Sequence, residues 1–244
     1  MAYITLNTHK LKENYDYLDR LFKQHNIEWG IVVKMLCGNR KYLEKVLSLG
    51  IRQVCDSRIS NLRIIKSIAP QIETVFIKPA AKRNAARVVQ YADISFNTEL
   101  ETIRLLSKAA VNQNKKHRIV IMIELGELRE GVLRDNFIEF YSNVFELPNI
   151  EVIGIGTNLT CMYGVLPNED KLIQLCLYKQ LVEAKFNKQI PYISGVASVT
   201  ISLILIGFLP NGINHFRVGE TLSLGTDVDY SKLYEHMHND VSKL

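Results

Sequence analysis

Cysteine is scarce, and no two of Cys37, Cys55, Cys161 and Cys176 form the C-x-x-C spacing of a thiolate metal site or a redox pair. No signal-type apolar segment precedes the amphipathic start of the chain, so a cytoplasmic protein with reduced thiols is expected. A membrane span is missing too: the longest apolar run, residues 201–209, is about half of the ~20 residues needed, and a buried helix is expected there. The net charge of +5 is spread over many segments, without a dense basic run or an alternation of basic and aromatic residues, which argues against a nucleic-acid partner. Also absent are a Pro/Gly/Ser-rich linker, a low-complexity segment and an internal repeat. With 244 residues, 47% hydrophobic and 23% charged, the chain suits one large domain. Asn158-Leu159-Thr160 matches the N-glycosylation pattern, which carries no meaning without secretion.

What is present is a rhythm. Residues 8–26 place Leu11, Tyr15, Leu18, Leu21 and Phe22 on one stripe behind a Thr8 cap, as an amphipathic helix does. Apolar, strand-like runs then alternate with helical patterns. Residues 29–34, 53–57, 74–78, 93–97, 118–124, 151–157, 192–194 and 215–218 read as strands. Residues 41–49, 58–68, 82–91, 98–112, 136–145 and 169–186 read as helices. Eight βα units without a Gly-x-Gly-x-x-Gly fingerprint after the first strand favour a closed (β/α)8 TIM barrel over an open dinucleotide-binding sheet. The barrel is expected over residues 1–228 as a single α/β domain, followed by a polar tail, 229–244. In that tail His236 and His238 stand at i and i+2 and share no helical face, so no metal site is expected.

In a barrel the chemistry gathers where strands end. The first strand delivers Lys34 to a Cys37-Gly38-Asn39 turn. A lysine at the end of a buried strand is expected to enter a water-poor slot, where desolvation makes an amine a nucleophile toward an aldehyde. The fifth strand end carries Glu124, Gly126, Arg129 and Gly131, and the sixth carries small residues and then Asn158. The seventh and eighth, with Ser194-Gly195 and Ser198, then Arg217, Gly219, Glu220 and Thr221, have the makings of a paired phosphate cradle built from backbone amides and a hydroxyl. A strand-one lysine combined with phosphate donors in the last two loops points to a phosphorylated aldehyde cofactor held as an imine.

These residues carry a resemblance. The segments 33–39, 124–131, 154–159, 193–195 and 213–220 fall in the order seen in the alanine racemase N-terminal domain family, the fold type III pyridoxal-phosphate enzymes, and look most like its ornithine racemase branch. The resemblance implies a pyridoxal 5'-phosphate-dependent amino-acid racemase in which Lys34 forms the imine and serves as the base on one face of the substrate Cα. It implies Arg217 at the pyridine nitrogen, Arg129 near the phenolic oxygen and Asn158 facing the ring, with Ser198 and the backbone around Gly219, Glu220 and Thr221 on the phosphate. An arginine at the ring nitrogen weakens the electron sink and keeps carbanion character brief. A plain ion pair of Arg217 with Glu220 or another loop carboxylate is the alternative for that residue.

Two departures from the family pattern stand out. The branch carries a Gly-Asn-Ser turn after the seventh strand, whereas residues 195–198 here read Gly-Val-Ala-Ser. A side-chain amide is therefore missing beside the phosphate, and weaker cofactor binding is expected. The family's racemases also continue into a C-terminal β domain, which in alanine racemase supplies a tyrosine from the partner subunit as second base. Residues up to Leu244 leave no room for one, so a slow enzyme is expected, as a monomer or homodimer, with Cys37, Cys161 or Tyr163 as substitute on the second face. A non-catalytic pyridoxal-phosphate carrier is the competing function, drawn from single-domain relatives of similar length.

Overall fold

The computed structural model of the chain describes residues 5–195 and 197–226. The boundary expected at 228 and the tail with Tyr234, His236 and His238 lie outside the described residues. Eight parallel strands close on themselves in chain order: β1 (Glu28–Val32), β2 (Gln53–Asp56), β3 (Glu73–Phe76), β4 (Ile94–Asn97), β5 (His117–Met122), β6 (Ile150–Thr157), β7 (Tyr192–Gly195) and β8 (His215–Val218). Around them run α1 (Thr8–Gln24), α2 (Arg40–Leu47), α3 (Ile59–Ile68), α4 (Ala85–Tyr91), α5 (Leu100–Asn112), α6 (Phe137–Phe145), α7 (Glu169–Phe186), α8 (Ile201–Leu205) and α9 (Glu220–Leu224). The (β/α)8 barrel read from the rhythm is therefore the fold. No helix among the described residues is long and apolar enough to cross a membrane.

Closure comes from β1 lying on β8, with Glu28 opposite His215, Trp29 opposite Phe216 and Gly30 opposite Arg217. Helix α1 covers that seam. Its Phe22 packs on Trp29 and Phe216 at ring separations of 5.3 Å each, and the buried Asn14 donates to the Leu222 carbonyl at 3.1 Å, tying α1 to α9. Aromatic packing of this kind contributes about 0.5–1.5 kcal/mol per pair beyond area burial.

Three local expectations change. The cap of α1 is Asn7, whose side chain accepts from the amides of His9 and Lys10 at 3.1 Å each; asparagine is at least as good a cap as threonine and stands one residue earlier. Strand β1 ends at Val32, because Val33 leaves the extended region (φ −105, ψ 11), and Lys34 opens a 3-10 turn, Lys34–Leu36. Its side chain is exposed and not sealed in a dry slot. The apolar run 201–209 is helical only as α8: Ile201 and Ile204 are buried, but Leu205, Ile206 and Phe208 are exposed. Gly207, at φ +75, ends that turn in the left-handed conformation that favours glycine.

The strands are buried on both faces, as in other parallel barrels. Outward residues join the helices in one apolar cluster, while Cys55, Val75, Ile94, Phe96, Val120, Met122 and Ile153 form a second cluster. Beside that second cluster lies a buried polar chain. The Gln53 amide donates to Glu73 at 2.6 Å, so its carbonyl oxygen faces His215 Nε2 at 2.8 Å, and His215 Nδ1 lies 2.9 Å from the Ser194 hydroxyl. His215 is thereby a neutral imidazole, with Nε2–H donating and Nδ1 accepting. On the far side His117 Nε2 meets Ser95 at 2.8 Å. Burial first, then the Arg217 charge, pushes His215 down to about 3, and burial pushes His117 down to about 4.

Both histidines stay neutral in the fold while the unfolded chain takes up a proton below about 6.5. Stability is thus full above that pH and falls as pH drops toward 4, by about 1.4 kcal/mol per unit for each histidine. Thermal melts of wild type and His215→Asn between pH 7 and 4.5 check this. The variant melts lower at pH 7 but loses less on acidification; equal slopes would remove His215 from the account.

Candidate active site

A cavity of about 690 Å³ opens at the carboxyl ends of the strands, and every one of the eight strand ends lines it. β1 brings Lys34, β5 brings Arg129 and Glu130, β6 brings Asn158 and Cys161, β7 brings Ser198, and β8 brings Arg217, Gly219 and Glu220. Most residues singled out in the sequence therefore share one wall-to-wall space. Thr221 lies behind that wall, fully buried, with its amide donating to the Ser198 hydroxyl at 3.3 Å. Cys37 is not among the lining residues. It stands in the left-handed region (φ 49) and faces a separate apolar depression with Leu11, Tyr42 and Leu222, because the 3-10 turn after β1 swings it away from the barrel axis. Tyr163 also stands outside, exposed on the β6–α7 loop.

The base of the cavity is a buried cation. Arg217 donates through Nη2 to the Thr157 carbonyl at 2.6 Å and lies 4.7 Å from the centre of the Phe96 ring. Both of these contacts are to neutral groups. Burial lowers its pKa from the ordinary value, yet a guanidinium keeps its proton in a protein. Its buried Nε has no partner, and neither do the buried hydroxyls of Thr200 and Thr221. Leaving such a donor unmet costs about 1–3 kcal/mol. These orphans flank the β7 and β8 loops. Gly219 completes the wall: a Cβ there would sit 2.9 Å from the Val32 carbonyl oxygen, so only glycine lets β8 pass β1 this closely.

Opposite, a polar chain joins the β5 and β6 loops. Asn158 donates to Glu130 at 2.7 Å, the Cys161 thiol points to the Asn158 carbonyl oxygen at 3.6 Å, and Arg129 stands 3.9 Å from Glu130. Asn158 thus has a fixed amide orientation, and the exposed Cys161 side chain stands at the rim. Among the described residues no His, Cys, Asp or Glu groups are clustered as a metal ion would need.

Two kinds of residue escaped the sequence reading. Ser57, Lys78 and Glu99 line the β2, β3 and β4 side; the first two end predicted strands and Glu99 follows one by two residues, but a search for glycine-rich turns passes over them. Glu127 carried no signal. It is buried, and its carboxylate accepts the backbone N–H groups of Thr160, Met162, Tyr163 and Val165 at 2.6–3.2 Å. Burial pushes its pKa up, and the four amides outweigh that and hold the carboxyl below the ordinary glutamate value. This one side chain seats the loop that carries Cys161.

The model of the alanine racemase N-terminal domain matches residues 6–226. An ornithine racemase of Acetoanaerobium sticklandii is 37% identical over 99% of this chain and 68% of its own length. A lysine racemase of Thermotoga maritima is 23% identical over 95% of this chain and 65% of its own. The chain thus spans about two thirds of the length of these curated relatives. Among solved structures, alanine racemase of Bartonella henselae with covalently bound pyridoxal phosphate superposes with a TM-score of 0.73 at 19% identity, over 96% of this chain and 63% of that one.

Glu127→Gln removes the charge that four amides share. Charge-assisted hydrogen bonds contribute about 1.5–3 kcal/mol each, so the Met162 and Tyr163 amides should exchange with deuterium about 100-fold faster while the barrel amides stay protected. Because the folded carboxyl is the stronger acid, wild-type protection should be full at neutral pH and fade as pH falls below the ordinary glutamate range. Unchanged exchange at Met162 and Tyr163 would mean that another contact seats the loop.

Proposed function

Because the chain belongs to the alanine racemase N-terminal domain family, we propose that it is a pyridoxal-phosphate-dependent amino-acid racemase working from the cavity at the strand ends. The observation that carries the reading is the meeting, in one cavity, of the Lys34 amine with a buried arginine whose Nε–H lacks an acceptor. Near them Ser198 and the close approach of backbone at Gly219 fit a phosphate group. When bound, the cofactor supplies an aldehyde carbon for amine capture and a conjugated ring that acidifies the substrate Cα–H.

The chain's own residues then divide the work. The Lys34 amine takes and returns the Cα proton on one face. Arg217 would offer an N–H to a ring nitrogen of the cofactor without transferring it, since a guanidinium is too weak an acid. Arg129 would set positive charge near the ring oxygen, and Asn158, oriented by Glu130, would face the ring. Cys161 stands across the cavity as the acid on the second face, its thiol already turned toward Asn158. Glu99 and Glu130 in the same wall favour a substrate with a basic side chain, in line with relatives named for ornithine and lysine. Those names also favour turnover over the carrier reading. Four thiols, none in a disulfide, suit a reducing cytoplasm.

Two variants test this. Lys34→Ala should abolish both racemisation and the borohydride-trapped cofactor adduct. Cys161→Ala should keep the adduct but slow D/L interconversion of ornithine and lysine by about 10²–10⁴-fold, the usual worth of one acid/base group. In deuterated water it should still wash out the Cα proton of one enantiomer. A Cys161→Ala protein that racemises at the wild-type rate assigns the second face elsewhere, and a wild-type protein with no trapped adduct on Lys34 ends the reading.

A further inference from the structure

Without forming a dense run, the positive charge of the chain gathers in one sector. Residues 57–92 hold seven lysines and arginines against the single acid Glu73, a net +6 in a chain whose total is +5. Elsewhere exposed cations spend their charge on neighbours, as in Lys12–Asp16, Arg40–Glu44 and Arg104–Glu101. Within the sector Lys66 is held by Asp93, and Glu73 is held by Arg118. The other cations have no acid of their own among the described residues.

Four of them surround one hollow. A cavity of about 560 Å³ lies beside the first, on the β2 and β3 side, and shares Ser57, Lys78, Pro79 and Glu99 with it. Arg58 enters it from the loop after β2, Lys78 from the loop after β3, Lys82 from the 3-10 turn Lys82–Asn84 and Arg87 from α4. All four are exposed, and none makes an ion pair or a side-chain hydrogen bond among the described residues. The nearest carboxylates are otherwise engaged. Asp56 is buried and accepts from the Arg58 amide and the Asn61 side chain. Glu99, the one acid in the lining, accepts from the Thr102 hydroxyl.

Like charges that converge on a concave surface focus their field on its centre. Ser60 and Asn84 add a hydroxyl and a side-chain amide to the lining. α3 also starts there with neither a side-chain cap nor an acid in its first turn, so its free amides reinforce the field of the four cations. Four positive charges less Glu99 leave +3, the complement of a diphosphate, and the volume lies in the range of about 300–1,000 Å³ typical of small-molecule sites. A nucleic acid would ask for an extended groove with stacking aromatics, whereas the one aromatic in this lining, Phe76, is buried. We propose that the hollow is an anion site, separate from the first cavity, for a small molecule of the diphosphate class. Lys78 lines both cavities, so a bound anion also draws on a charge that the first cavity would otherwise have to itself.

Pyrophosphate is the probe, added to the full chain at low salt while backbone amide resonances are followed. The amides of Ser60 and Asn84 should shift saturably, along a curve distinct from that of Gly219 and Glu220, which report the first cavity. Arg58→Glu and Lys82→Glu, both at exposed positions outside the first cavity, should each weaken the Ser60 and Asn84 titration about tenfold, the worth of one charge-assisted hydrogen bond, and the double variant should weaken it further. Arg104→Glu, on α5 and outside the hollow, should leave it unchanged. Shifts confined to Gly219 and Glu220, or no saturable shift at all, overturn the proposal. An equal loss with Arg104→Glu also overturns it, as the mark of diffuse screening. So does a single-stranded oligonucleotide that displaces pyrophosphate at equal phosphate concentration, which would make the face a nucleic-acid surface.

Discussion

The pairing of β1 with β8 is the constraint on which the rest depends. It sets Gly30 opposite Arg217, and so brings the turn that starts at Lys34 beside the loop that starts at Gly219. A lysine near the start of the chain and an arginine near residue 220 reach the same cavity only because the barrel closes. Phe22, Trp29 and Phe216 press that seam shut from outside, and the bare Cα of Gly219 allows the two backbones to come close enough. Closure also removes the open strand edges that an unclosed parallel sheet would present.

Inside the seam the barrel holds a graded polar column. Toward the amino-terminal ends of the strands, Glu73, Gln53, His215 and Ser194 satisfy one another, and the histidine remains neutral. One step toward the mouth sits Arg217, charged, with one donor satisfied by Thr157 and another left over. A neutral histidine next to a buried guanidinium avoids a second positive charge in a dry interior, where like-charge repulsion is screened least. The unpaired Nε–H of Arg217 is the kind of buried donor that a packed interior seldom leaves unmet.

The loops obey a different economy. The β6–α7 loop has exposed Met162, Tyr163 and Leu166 and is held by the carboxylate of Glu127. Such anchoring, together with the buried Leu159, keeps Cys161 in place and makes the loop sensitive to acid. Helix α7 leaves that loop with its N-terminus capped by Asn168.

The amino-acid sequence by itself determined the barrel, because strand and helix periodicities are local properties repeated eight times, and part of the cavity lining, because strand ends in a barrel converge on one face. Lys34, Arg129, Asn158, Cys161, Ser198 and Arg217, all singled out from the sequence, line one cavity. Only the tertiary structure decided what depends on the direction of a turn or on distant partners. Val33 left the extended region one residue before Lys34, which put that lysine at an exposed rim and turned Cys37 away. Glu127 became an anchor through amides more than thirty residues along the chain, and the apolar run after residue 201 was halved by a left-handed glycine. Side-chain pattern is written residue by residue, whereas the aim of a turn and the partners of a buried carboxylate are set by where the rest of the chain has already packed.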